Sequence, residues 1–296
     1  MQSGMALGKL EMVDQMMEKY ELPEWVKPYV YRYIRQHPIG AIKHAVSFID
    51  VKRKKGEITN KHVKLPNGMT FRMEDIKHLL TLFHYAEERM ASIAKGWVLK
   101  SGHSANPDYI RFFTEMAESD TKHMRAIKNL MEGLGSKPGE PTPEVKAVFD
   151  YLETIDDWQE RLVATNLILR GAYSRSFGLV FYKVFYHVSP EFMRSFGKAF
   201  SVHDDEPGWG DHEAERLIRD GKISSDRLSR LSQALLSRTC RSIDAEMRVA
   251  ANAGIKTEME LLRDISIAYP LHSIQEMGAP IDIDEEIKNI KRISKS

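Results

Sequence analysis

The stretch from Phe112 to Ile127 constrains this chain most, because it places an acid and an imidazole inside the apolar face of a helix. Phe113, Met116, Ile127 and Leu130 recur at three- and four-residue steps, the spacing of one side of an amphipathic helix. Asp120 falls four residues after Met116, His123 three after Asp120, and Ile127 four after His123. Both polar side chains therefore point inward, whereas Glu118 lies off the stripe and faces water. A buried polar group left without a partner costs about 2–7 kcal/mol, so Asp120 and His123 must be hydrogen-bonded, paired or metal-bound. An acid followed three residues later by histidine is also the unit from which di-metal carboxylate centres are built in helical bundles.

The preceding helical pattern, Glu74 to about Lys100, carries Leu79, Leu80, Phe83, Ala86, Met90, Ile93, Ala94 and Trp97 on one face. Glu87 sits within that face and Glu88 one step round it. Glu87, Asp120 and His123 are thus the inward donors of two helices joined by a short loop at Gly102 to Pro107. Two hard oxygen donors and one imidazole suit iron or manganese. The competing reading is a polar cluster whose members satisfy one another or pair with a lysine.

Elsewhere the chain reads as helices. Short helical patterns precede residue 50, and Pro and Gly punctuate them. Val63 and Leu65 alternate before Pro66-Asn67-Gly68, and Met69 and Phe71 after it, the signature of a small hairpin inserted in an otherwise helical chain. Ser136 to Pro143 is dense in Pro and Gly and reads as the long crossover of a bundle. A third helix is expected from about Asp156 to His187, with an aromatic stripe that begins at Tyr173. A fourth starts at Ser189-Pro190 and continues through Asp211 to Asp220. Further helices are expected over 224–252 and 257–267, followed by a basic, loosely docked tail after Pro270. The predicted architecture is all-α: one helical domain over 1–296, with N-terminal helices and hairpin at 1–73, a long four-helix core at 74–220 and C-terminal helices at 221–296.

Composition narrows the function. The chain has 296 residues, with 43 Lys and Arg against 42 Asp and Glu, a formal charge of +1 that gives no support for a nucleic-acid partner. One cysteine, Cys240, excludes an internal disulfide and reads as a small buried apolar residue. No apolar run approaches the ~20 residues of a membrane span, and the first residues lack a signal-peptide pattern. A cytoplasmic protein is the expectation.

Helix order and donor spacing over about residues 75–220, together with the lines Asn166 to Tyr173 and His203 to Ile218, resemble the ferritin-like di-iron superfamily, and within it the phenylacetyl-coenzyme A epoxygenase type of subunit. The resemblance implies a ferritin-like four-helix bundle, one or two iron or manganese ions, oxygen activation against a small apolar or aromatic substrate, a separate reductase, and assembly as a homo- or hetero-oligomer. Glu206 falls on the glutamate of the second acid-x-x-His, but Trp209 stands at its histidine, and Arg170 is the nearest polar residue to the third-helix glutamate. His203, three residues before Glu206, is the substitute ligand, with His212 a further candidate. At Trp209 and Arg170 the chain departs from the pattern. Three states follow: a rearranged di-metal site that adds Glu206 and His203, a single-metal site at Glu87, Asp120 and His123, or a degenerate, metal-free subunit that scaffolds a partner or binds an apolar ligand. Arg170 is expected to pair with Glu206 or Asp205.

Overall fold

The computed structural model describes residues 57–58, 62–64, 70–101, 106–178, 208–250 and 256–295, and these are mostly helical. Three short strands come first: β1 (Glu57–Ile58), β2 (His62–Lys64) and β3 (Thr70–Arg72). They pair antiparallel in the order β1-β2-β3, with Val63 opposite Phe71, a register centred on Asn67, one half-step from that of a two-residue Asn67-Gly68 turn. The β1 strand adds to that hairpin; it has only two residues and no alternation to betray it in the sequence.

Helix α1 (Met73–Ser101) leaves β3 directly. Arg72 donates through both Nε and Nη2 to the Asp75 carboxylate, so the strand end is tied to the first helical turn, where an acid also suits the macrodipole. Helix α2 (Pro107–Gly133) starts on an Asn106 cap, whose side chain accepts from the Asp108 N–H, and on Pro107 at the first position. The two helices pack along their length as an antiparallel hairpin. Trp97 meets Phe113 edge-on at 5.1 Å, and Phe113 is fully buried. Gly135 ends α2 in the left-handed region at φ 65°, with the Ser136 N–H returning to the Met131 carbonyl. The following loop is pinned to α1, because the Gly139 N–H donates to Thr81 Oγ1.

Helix α3 (Pro143–Glu153) packs Phe149 edge-on against Tyr85 of α1. In place of the one long third helix expected, α4 (Trp158–Val163) passes into a π-helix over Ala164–Gly178. A π-helix of 15 residues is unusual, since such turns are mostly single bulges at functional sites. After it come α5 (Trp209–Arg219), α6 (Ser225–Ala250), α7 (Lys256–Glu276) and α8 (Ile283–Ile293).

Two expectations for the C-terminal part are corrected. Helix α7 runs through Pro270 instead of ending before it. It packs along the π-helix, and a side chain at Gly171 would lie 3.2 Å from Tyr269 and 3.3 Å from Pro270, so glycine admits the proline ring to the seam. The supposed loose tail forms α8, which docks on α6 through fully buried Ile290, while Glu286 accepts from Ser229 and Gln233. Cys240 is buried in this region, as expected. Among the described residues no helix is long and apolar enough to cross a membrane. The N-terminal helical patterns and the helix start at Ser189 lie outside the described residues.

One backbone approach is tighter still. A Cβ at Gly210 would lie 2.5 Å from the Phe112 ring and 3.1 Å from Asn166 Nδ2. Gly210→Ala must therefore separate α5 from α2, and should lower unfolding free energy by about 1–3 kcal/mol in urea denaturation. A loss below a few tenths of a kcal/mol would contradict this packing.

Candidate metal centre

The antiparallel α1–α2 hairpin brings the three first-named candidates together. Trp97 opposes Phe113, and ten residues further along each helix Glu87 opposes His123. Asp120, one turn before His123, completes the group, and one donor atom from each of the three lies within 4.8 Å of the others. His123 Nδ1 is 3.2 Å from Glu87 Oε2, with side-chain exposures of 6% and 13%. Glu88 and Glu118 are exposed, so the periodicity separates inward from outward acids correctly.

Burial dominates the electrostatics. It pushes the Glu87 carboxyl up to about 8, opposed by a hydrogen bond from Asp120. Asp120 stands well above the ordinary carboxylate range, first through burial and then through the adjacent Glu87 charge. His123 is lowered, again by burial, and so is neutral at physiological pH. No lysine or arginine among the described residues holds either carboxyl down. Both acids therefore favour their protonated forms, because burial penalises each charge and like charges at hydrogen-bond distance cannot both ionise in a dry setting. A divalent cation would replace the acidic protons that burial favours. Two carboxylate oxygens and a neutral imidazole nitrogen match its needs, and the donor set fits one metal ion.

Only part of the expected second half falls among the described residues. Arg170, on the π-helix, donates from Nη1 to Asp211 Oδ2 at 2.8 Å, and the expected partners Asp205 and Glu206 lie outside the described residues. Trp209 packs its ring on Phe112, 5.8 Å between centroids. Phe112 stands eight residues before Asp120, about 12 Å along the α2 axis at 1.5 Å per residue. Trp209 is thus at a different level from the Glu87 cluster. His212 is exposed on α5 and does not turn inward. Glu206 and His203 lie outside the described residues.

A second buried polar group escaped the sequence reading. His78 Nε2 of α1 lies 3.9 Å from Glu246 Oε2 of α6, a residue only 2% exposed. Tyr173 of the π-helix donates to Ser242 Oγ of α6 at 2.9 Å, and burial raises its phenol above the ordinary range. Helical spacing within Ser225–Ala250 puts Ser242 and Glu246 one turn apart, beside Ile243, and that was the available signal. No protein-family model and no curated protein matches the chain.

Proposed function

We propose that this chain is a ferritin-like helical-bundle protein in which Glu87, Asp120 and His123 hold one iron or manganese ion that activates oxygen for attack on a small apolar or aromatic substrate. The observation that carries this reading is the buried Glu87–Asp120–His123 cluster, with two acids crowded together and no described lysine or arginine to neutralise them. Bound metal would supply the redox chemistry and Lewis acidity. The protein's own part begins with deprotonation: Glu87 and Asp120 each give up the proton that burial favours and become anionic ligands. His123, kept neutral by burial, offers a nitrogen lone pair without first losing a proton. Apolar neighbours on both helices, among them fully buried Leu80 and Ile127, keep bulk water from the hairpin interior. Electrons would come from a separate reductase, in a homo- or hetero-oligomeric assembly of a cytoplasmic enzyme. Full occupancy by two ions would additionally require Glu206 and His203.

A non-catalytic reading, in which a degenerate subunit scaffolds a partner or binds an apolar ligand, draws on one observation. Arg170 and Asp211 neutralise each other near Trp209, where a complete second half-site would present free ligands. Metal analysis of protein purified without chelators separates the readings. The proposal expects roughly one equivalent of iron or manganese per chain; a negligible metal content after supplementation with both ions would leave only the scaffold. If two equivalents are found, His203→Ala should release one, and retention of both would remove His203 from the ligand set.

A further inference from the structure

Along the first half of α6, before the turns that carry Ser242 and Glu246, residues of α3, α4, α6 and α8 enclose an open groove of about 520 Å³, within the size range of small-molecule sites. Arg227, Arg230 and Arg238 of α6 line it, over a floor that includes Leu231, Ala234 and Ile293. Positions 227, 230, 234 and 238 follow one another at three- and four-residue steps, so they form a single stripe of the helix.

The three guanidinium groups are not equivalent. Arg227 is outweighed by two acids, its Nε bonded to Glu160 at 2.9 Å and its Nη2 to Asp157 at 3.0 Å. Glu160, the one acid lining the groove, is thereby occupied. Arg238 is held over the Tyr151 ring at 4.4 Å and donates from Nη1 to the Ala234 carbonyl. These contacts orient its fork without cancelling its charge. Arg230 is exposed, and among the described residues no carboxylate pairs with either Arg230 or Arg238. Two positive groups therefore remain, eight residues apart, or about 12 Å along the helix axis. Between them lies apolar surface.

We infer that this groove binds a dianionic small molecule, an apolar chain or ring with an anionic group near each end, spanning Arg230 and Arg238 over Leu231 and Ala234. Guanidinium forks bond carboxylate and phosphate oxygens in pairs, which gives the ends their specificity. The apolar middle excludes short polar dianions, which would leave the floor uncovered. Arg227, with Glu160 and Asp157 attached, forms an ion cluster of net charge −1 at one end, so the anionic groups of the ligand are held by Arg230 and Arg238 alone. The site is separate from the Glu87 cluster and stands whether or not that cluster holds metal.

Calorimetric titration of the full chain with azelate (nonanedioate) and with nonanoate tests the inference. Azelate should bind about tenfold or more tightly than nonanoate, because only the dianion engages both arginines. Arg230→Ala, a change at an exposed position, should bring azelate down to the nonanoate level with the melting temperature unchanged. Arg238→Lys should weaken azelate too, as a point charge replaces the stacked fork. Failure of azelate to bind, equal binding of the two probes, or azelate affinity untouched by Arg230→Ala would each overturn the site.

Discussion

Glu87→Gln should abolish metal retention and, in metal-free protein at pH 8, raise unfolding free energy by roughly 2–4 kcal/mol. The two effects have one origin. Unfolded, the Glu87 carboxyl has its ordinary value of 4.5; folded, burial moves it up to about 8. Between those values the folded state binds the extra proton, so the contribution is complete below pH 4.5 and is lost as pH rises through 8. Asp120 is raised for the same reason and acts in the same direction. Glutamine keeps the shape and has nothing to ionise, which removes the cost. Burial lowers His78, His84, His123 and His272, and these act oppositely: their contribution is present above the ordinary 6.5 and fades as pH falls through their lower folded values. Metal-free protein should therefore gain stability on acidification from pH 8 toward 6.5 and lose it further down. Metal-loaded protein should show the reverse between 6.5 and 8, since ligand deprotonation favours binding as pH rises. Thermal melts with and without a chelator across this range read both slopes. A Glu87→Gln variant that keeps its metal, or whose apoprotein melts earlier at pH 8, would sink the metal-centre reading.

Trp97→Ala should cost about 3–5 kcal/mol in urea denaturation, the loss expected when a large buried aromatic is truncated. Trp97 is 1% exposed, abuts Phe113 edge-on, and carries the Arg161 guanidinium 5.1 Å from its ring centroid. Arg161 is itself buried, with Nε donating to the Ile155 carbonyl and Nη1 to the Tyr109 hydroxyl. Removing the indole thus loosens α1, α2 and α4 at once. Glu87 lies ten residues back along α1, about 15 Å away, so metal affinity at low temperature should change little. A loss under 1 kcal/mol would remove Trp97 from the centre of the core. A loss of metal from a chain that remains folded would tie the two regions together more closely than the contacts suggest.

The inward donors were legible because a three-and-four spacing is a direct geometric statement about which side chains share a helix face. Glu87 and Glu88 are adjacent in sequence, and only the period tells them apart. The helix limits around Asn106-Pro107 and Gly133 to Gly135 were legible through cap chemistry. The π-helix was not, because Ala164–Gly178 has no internal Gly-Pro break and widening a helix changes the hydrogen-bond step without changing composition. Pro270 misled for a related reason: it forbids one backbone hydrogen bond, but the approach of Gly171 on the facing helix compensates through packing. Ile283, Ile287 and Ile290 did carry helical spacing in the tail, and the surrounding lysines and arginines concealed it.

The sequence separation of the donors has a consequence for the order of folding. Glu87 and His123 are 36 residues apart and belong to one hairpin, so closing the loop between them costs little entropy. A metal ion can then stabilise that hairpin as a local unit before the C-terminal helices dock, and hold it closed when they detach. Hydrogen-exchange protection added by metal should accordingly concentrate in α1 and α2, with the smallest gain in α7 and α8.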